Sequence, residues 1–252
     1  MGSPRLPGND PRTLARDIPG LFEGLFPHLI PGVVAHLNRH AQPASECVQV
    51  SADDVRASTL ARAMLFELAV AAAEQLLAGS ELPDWEAAMS VALVRQRRHF
   101  DAIEPAGLND IDKDIALRVA QNLTAMLGVA QTAGGHPLVL SPTIPGYQWI
   151  ATGVGDFSVG ACLIEVKCTN RRFMSADYRQ ILMYWLLSYA AALEGRACEW
   201  THANIMNPRL GFTLTISFDE LIRLVAAGRS KVELLAQFAT FVGERKTQGH
   251  AL

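Results

Sequence analysis

The sequence predicts an α/β fold of the α+β kind: a mixed β-sheet flanked by helices, with a helical N-terminal elaboration. Three observations predict it. The elements read in the order several helices, three strands, a helix, two strands and closing helices, a mixture unlike a doubly wound sheet. The runs Leu163 to Cys168 and Phe212 to Ser217 are short, apolar and bounded by turn residues, as core strands are. Finally, 252 residues, 50% of them hydrophobic and 19% charged, are enough to bury a large core and argue against general disorder.

Taken in order, residues 1 to about 20 are rich in Pro, Gly and charge and are expected to be loose. Leu21 to Asn38 has Phe22, Leu25, Phe26, Leu29 and Ile30 at helical spacing, broken by Pro27 and Pro31, so short helices are expected there. Ser58 to Leu77 predicts a helix with the stripe Leu60, Met64, Leu65, Leu68, Ala72 and Leu76. Asp84 is placed to cap a helix from Trp85 to Phe100, with Trp85, Ala88, Met89 and Ala92 inward. The basic end of that helix, Arg95, Arg97, Arg98 and His99, suits the helix dipole or, alternatively, tracks phosphate. Asn109 opens a helix to about Leu127, with the stripe Ile111, Ile115, Val119, Leu123 and Met126, and Gly134-Gly135 breaks the run.

His136 to Ser141 is a strand candidate, Pro142 to Gly146 a turn, and Gln148 to Thr152 the start of a hairpin. Beyond the next helix, Ala203 to Met206 and Phe212 to Ser217 predict two strands. Arg209 is expected in the surface turn between them. Asp219 to Ala227 and Ser230 to Val242 are closing helices. The domain organisation that follows is an N-terminal extension over 1–50, a main domain over 51–242 with a helical insertion at about 84–130, and a flexible tail over 243–252.

The chemistry concentrates between Thr152 and Tyr189. On a strand from Leu163 to Cys168, alternation puts Ile164, Val166 and Cys168 on one face and Leu163, Glu165 and Lys167 on the other. A Glu and a Lys on a core strand are expensive to bury unless paired or bound to a metal. A hairpin through Gly160 would bring Asp156 beside Glu165. Two adjacent carboxylates repel and raise each other's pKa, and a divalent cation relieves the conflict. Lys167 would then orient a water and offset charge growing on phosphorus. On the following helix, with Ser175 as its expected cap, Asp177, Gln180 and Tyr184 share one face. The bland reading is a surface hairpin whose Glu165 and Lys167 simply pair.

The order Asp156, Glu165-Val166-Lys167, Gln180 and Tyr184 resembles the PD-(D/E)XK nuclease superfamily, and the helical Gln-x-x-x-Tyr resembles its RecB-like members. Pro142, Pro145, Gly146, Gly155, Asp177, Arg179 and Leu182 complete a pattern similar to that of bacterial proteins of this superfamily. The resemblance covers well under half of the chain and implies an αβββαβ core. It implies metal ligands at Asp156, Glu165 and the carbonyl of Val166, with Mg²⁺ as cofactor and Mn²⁺ as the alternative. Lys167, Gln180 and Tyr184 would complete the catalytic site, and Glu67, in the run LARAMLFELAV, matches a helical Glu that assists the metal. A solvated helix Glu is the bland reading of Glu67, and Arg62 would neutralise it or touch phosphate.

The implied activity is Mg²⁺-dependent hydrolysis of phosphodiester bonds, with DNA as the expected substrate and RNA open, in bacterial restriction, repair or phage defence. The alternative is a catalytically silent nucleic-acid-binding or assembly subunit, and a homo-oligomer or protein partner is compatible with either. A net charge of −3 provides no global attraction to nucleic acid, so any contact must be local. The four cysteines include no C-x-x-C, so neither zinc nor a disulfide framework is expected. The resemblance to RecB-like members, some of which hold an iron–sulfur cluster on one upstream and three downstream cysteines, implies no cluster here, since only Cys168 and Cys198 follow Lys167. With no signal peptide or membrane span recognisable, a cytoplasmic protein is expected.

Overall fold

Alternation along the central strands puts apolar side chains on both faces of one sheet, and helices cover each face. The structure, a computed structural model, describes residues 9–17, 20–97, 105 and 107–248. Ten helices and eight strands lie among the described residues. The helices are α1 (Pro11–Asp17), α2 (Leu21–Leu25), α3 (Pro31–Arg39), α4 (Ala52–Ala57), α5 (Arg62–Leu77), α6 (Trp85–Arg97), α7 (Asp110–Gly134), α8 (Ser175–Leu193), α9 (Phe218–Val225) and α10 (Lys231–Gln248). The strands are β1 (Gln42–Pro43), β2 (Leu138–Leu140), β3 (Thr143–Ile144), β4 (Gly153–Val154), β5 (Phe157–Val159), β6 (Cys162–Val166), β7 (His202–Asn207) and β8 (Phe212–Ser217).

The main sheet is mixed, in the order β1-β8-β7-β6-β5-β2, and β3 pairs with β4 in a separate two-stranded sheet. Only β6 and β7 run parallel, joined by α8 as the crossover a parallel pair requires. The β5–β6 hairpin turns on Gly160-Ala161, since Val159 faces Cys162. Gly160 has φ of +54°, and a Cβ there would lie 2.6 Å from the His136 ring, so only glycine suits this turn.

On one face, Leu163, Ala203, Ile205, Leu214 and Ile216 pack against α2, α3, α8, α9 and α10. On the other, Phe157, Val159, Ile164 and Met206 meet Leu123, Met126 and Leu127 of α7 and Ala72 and Ala73 of α5. Each strand thus contributes alternate residues to opposite cores. The expected insertion over 84–130 contributes to a covering layer, because α7 supplies four of the ten buried residues of the second core. Among the described residues, no helix is long and apolar enough to cross a membrane.

Several expectations need correction. Residues 9–17, expected to be loose, include α1, which starts where Asp10 Oδ1 accepts from the main-chain N–H groups of Arg12 and Thr13. The helix expected from Ser58 starts at Arg62, because Ser58 and Thr59 leave the helical path to donate to the buried Asp112 carboxylate. The helix opened by Asn109 runs on to Gly134 and ends where Gly135 turns left-handed. Ile111, expected inward, is exposed, while its neighbour Asp112 takes the buried position of the first turn of α7. Helix α8 is capped at Met174, not Ser175: Asp177 Oδ2 accepts from the Met174 N–H at 2.8 Å. Arg209, expected at the surface, is 4% exposed, and its guanidinium donates to the carbonyls of Val50 and Ser51. Strand β1 went unread, as a two-residue strand has no period to detect. Helix α10 extends past Gly243 to Gln248, and the expected helix end at Arg98, His99 and Phe100 lies outside the described residues.

Candidate active site

Two elements fix the carboxylates. Asp156 stands just before β5, its carbonyl accepting from the Ser141 N–H at 3.0 Å, while the Gly155 N–H donates to Pro142 at 2.9 Å. Gly155 has Ile144, Leu163 and Pro142 within 3.3 Å of where a Cβ would sit, so a side chain would crowd this approach. Asp156 Oδ2 then accepts from the Val166 N–H on β6 at 2.7 Å, which ties the acid to the strand bearing Glu165. The hairpin expected from the sequence therefore brings the two acidic residues into one neighbourhood.

Glu165 is fully buried. Its Oε1 accepts three hydrogen bonds: from Gln180 Nε2 at 2.6 Å, Lys167 Nζ at 2.8 Å and Arg12 Nη2 at 3.4 Å. Lys167 also donates to Gln180 Oε1 at 2.8 Å, and Gln180 Nε2 donates to the Tyr184 hydroxyl at 3.0 Å. Gln180 and Tyr184, one turn apart on α8, both face the strand, and α8 lies there because it covers the face to which Glu165 points. By contrast, Glu165 Oε2 is buried without a hydrogen-bond partner.

Electrostatics follow this geometry. Burial foremost, then the charge of Asp156, push the Glu165 carboxyl above the usual carboxylate range, and Lys167 and Arg12 oppose this without cancelling it. Burial and the Glu165 charge hold the Tyr184 phenol well above its ordinary value, so it is neutral. Burial disfavours the Arg12 charge, but Glu165, Asp156, Tyr184 and Glu67 outweigh it and keep the guanidinium firmly protonated. Burial, then Asp156 and Glu67, push the Cys168 thiol upward, so it is no thiolate.

Glu67 on α5 joins this neighbourhood through Arg12 and Cys168, both of which feel its charge together with that of Asp156. Burial raises its carboxyl, against the pull of Arg95 and Arg12. Burial first, then the charge of Arg62, depress the Arg209 guanidinium, so Arg62 stands near Arg209. Arg95 is committed to Glu74 at 2.8 Å, which favours the structural reading of the basic helix end. Asp177, expected on the site face, caps α8 and pairs with Arg171 at 3.2 Å.

Sequence reasoning missed Arg12, 153 residues away from Glu165. A signal for α1 was present: Asp10 followed by Pro11 is a helix start, a capping residue before proline at the first helical position. Nothing local could have placed that helix against α8.

Asp156 and Glu165 could hold a hard divalent cation, for which Mg²⁺ needs only one or two protein carboxylates plus waters. The buried, unpartnered Glu165 Oε2 fits such a ligand role. Among the described residues no three His, Cys, Asp or Glu side chains form a ready-made metal cage. No family model, curated protein or solved structure matches the chain.

Proposed function

We propose that this protein is a metal-dependent nuclease with a PD-(D/E)XK-like core. One observation carries the reading: Lys167, Gln180 and Arg12 all converge on one oxygen of Glu165, while the other is buried without a hydrogen-bond partner. A purely structural ion pair has no reason to strand one carboxylate oxygen, because an unsatisfied buried acceptor is costly. The order β2, β5, β6, α8, β7 supports the core assignment, with three antiparallel strands followed by a helix and a parallel strand.

Asp156, Glu165 and the Val166 carbonyl would hold Mg²⁺ or Mn²⁺, with Glu67 assisting from α5. The cation would supply Lewis-acid polarisation of the phosphoryl oxygen and a more acidic water. Lys167, anchored between Glu165 and Gln180, would orient the attacking water and meet negative charge as it develops on the phosphate. Gln180 would fix both side chains, and Tyr184, kept neutral by burial, would hold Gln180 in register. DNA is the proposed substrate.

The test is incubation with plasmid, linear DNA and RNA in Mg²⁺, Mn²⁺ or EDTA, alongside Asp156→Ala and Lys167→Ala. Metal-dependent cleavage lost in both variants is expected, by at least about a hundredfold. Nucleic-acid binding without cleavage, unchanged in both variants, would establish a silent binding subunit instead.

A further inference from the structure

Helix α1 is anchored at several points. Asp10 caps it, the Asn9 carbonyl accepts from the Ala151 N–H at 2.9 Å, and Pro11 lies against Gly153. Leu14 and Ala15 are buried in the same core as α8. This docking carries Arg12 to 3.4 Å from Glu165 on β6, where the charges of Asp156 before β5 and Glu67 on α5 also act on its guanidinium.

Arg12 is not held like the fold's structural cations. Among the described residues its guanidinium makes one hydrogen bond, 3.4 Å long, and its side chain stays 34% exposed. Arg95 reaches Glu74 at 2.8 Å, and Lys231 reaches Glu199 at 2.7 Å. A guanidinium offers five N–H donors in a planar fork suited to phosphate oxygens, and Arg12 leaves most of them uncommitted. A divalent cation at Asp156 and Glu165 would remove the carboxylate charge that attracts Arg12, leaving it beside a second positive centre. An anion arriving there would restore neutrality.

We propose that Arg12 is a substrate-binding residue that grips the non-bridging oxygens of a nucleic-acid phosphodiester and rests on Glu165 when no substrate is bound. The inference depends on the nuclease reading for its substrate, but its test does not depend on cleavage. The probe is a short fluorescein-labelled DNA oligonucleotide, its binding followed by anisotropy in Ca²⁺ for the wild type, Arg12→Ala and Arg12→Lys. Calorimetry with Mn²⁺ alone and thermal melting are run on the same proteins.

Arg12→Ala is expected to weaken oligonucleotide binding at least about tenfold, the effect of losing a charge-assisted contact. Arg12→Lys should fall in between, keeping charge but losing the fork. Mn²⁺ affinity should stay equal or rise in Arg12→Ala, because a neighbouring positive charge has gone. Equal or tighter oligonucleotide binding by Arg12→Ala would overturn the proposal and mark α1 as a plug over the site. A parallel loss of Mn²⁺ and oligonucleotide affinity would overturn it too, as the sign of a merely structural lock. A wild type that binds DNA through Arg12 but never cleaves it would sink the nuclease reading alone, whereas a wild type that cleaves DNA while Arg12→Ala binds the oligonucleotide equally well would sink this one alone.

Discussion

At the residue scale, Glu165 is where opposing effects are largest. Burial and Asp156 favour its protonated form, while Lys167 and Arg12 favour the carboxylate. The net upward shift means the folded state holds this proton more tightly than the unfolded chain. Stability from this group is therefore fully present below the ordinary glutamate pKa. It declines as pH rises from there to the raised folded value, then levels off. Lys167→Ala in the metal-free protein tests the pair at Glu165. The 2.8 Å pair with a fully buried carboxylate argues for a loss of about 3 kcal/mol at neutral pH, since Glu165 keeps its burial but loses its closest cation. The loss should shrink below the ordinary glutamate pKa, where Glu165 is protonated in both states, as chemical denaturation at several pH values would show. Asp156→Asn should move the Glu165 titration downward, by removing a like charge, and carbon NMR of the glutamate carboxyls would detect it. The shared face of Glu165 and Lys167, and that of Gln180 and Tyr184, were legible from spacing, because a strand period and a helix period each place residues on a face, whereas Asp156 needed the hairpin and the resemblance. Arg12 was not legible, since no period links α1 to β6.

At the element scale, the helical layer hangs on Asp112. Its carboxylate accepts from Ser58 Oγ at 2.6 Å, the Thr59 N–H at 3.0 Å and Thr59 Oγ1 at 2.7 Å, joining the start of α7 to the link between α4 and α5. Burial alone would raise this carboxyl, but the hydroxyl and N–H donors outweigh it and hold it below the usual aspartate value. Asp112→Ala should destabilise the fold by about 2 kcal/mol, because the half-buried Ser58 and the exposed Thr59 lose their bonds to a buried, charged acceptor. The wild-type contribution is present above the ordinary aspartate pKa and lost as pH falls through the depressed folded one, so the gap between variant and wild type should close at low pH. Urea melts at neutral and acid pH test both points. The Asn109 cap was readable, but the break before Arg62 was not, because the partner that pulls Ser58 and Thr59 out of the helix lies more than 50 residues downstream.

At the scale of the whole molecule, α8 is the shared wall of core and candidate site. Fourteen of its nineteen residues are buried, so it has no outer face and cannot open without exposing the main core. Amides from Gln180 to Ala191 should exchange only on global unfolding, whereas α1, a short helix at one margin, should exchange by local opening. Hydrogen-exchange mass spectrometry across the chain would show equal rates in the two helices if that ordering is wrong. A site whose Gln180 and Tyr184 come from so buried a helix is preorganised.

The sequence by itself determined which segments are strand or helix near the site, the mixed α/β class, and the set of polar residues on the inward faces of β6 and α8. Those are consequences of local period and of the penalty for burying charge, and both can be read along the chain. Only the tertiary structure decided that Arg12 reaches Glu165, that one oxygen of that carboxylate is left bare, and that Arg209 is an internal brace. Each depends on which distant surfaces meet, and that is governed by packing of whole layers rather than by any neighbour in sequence.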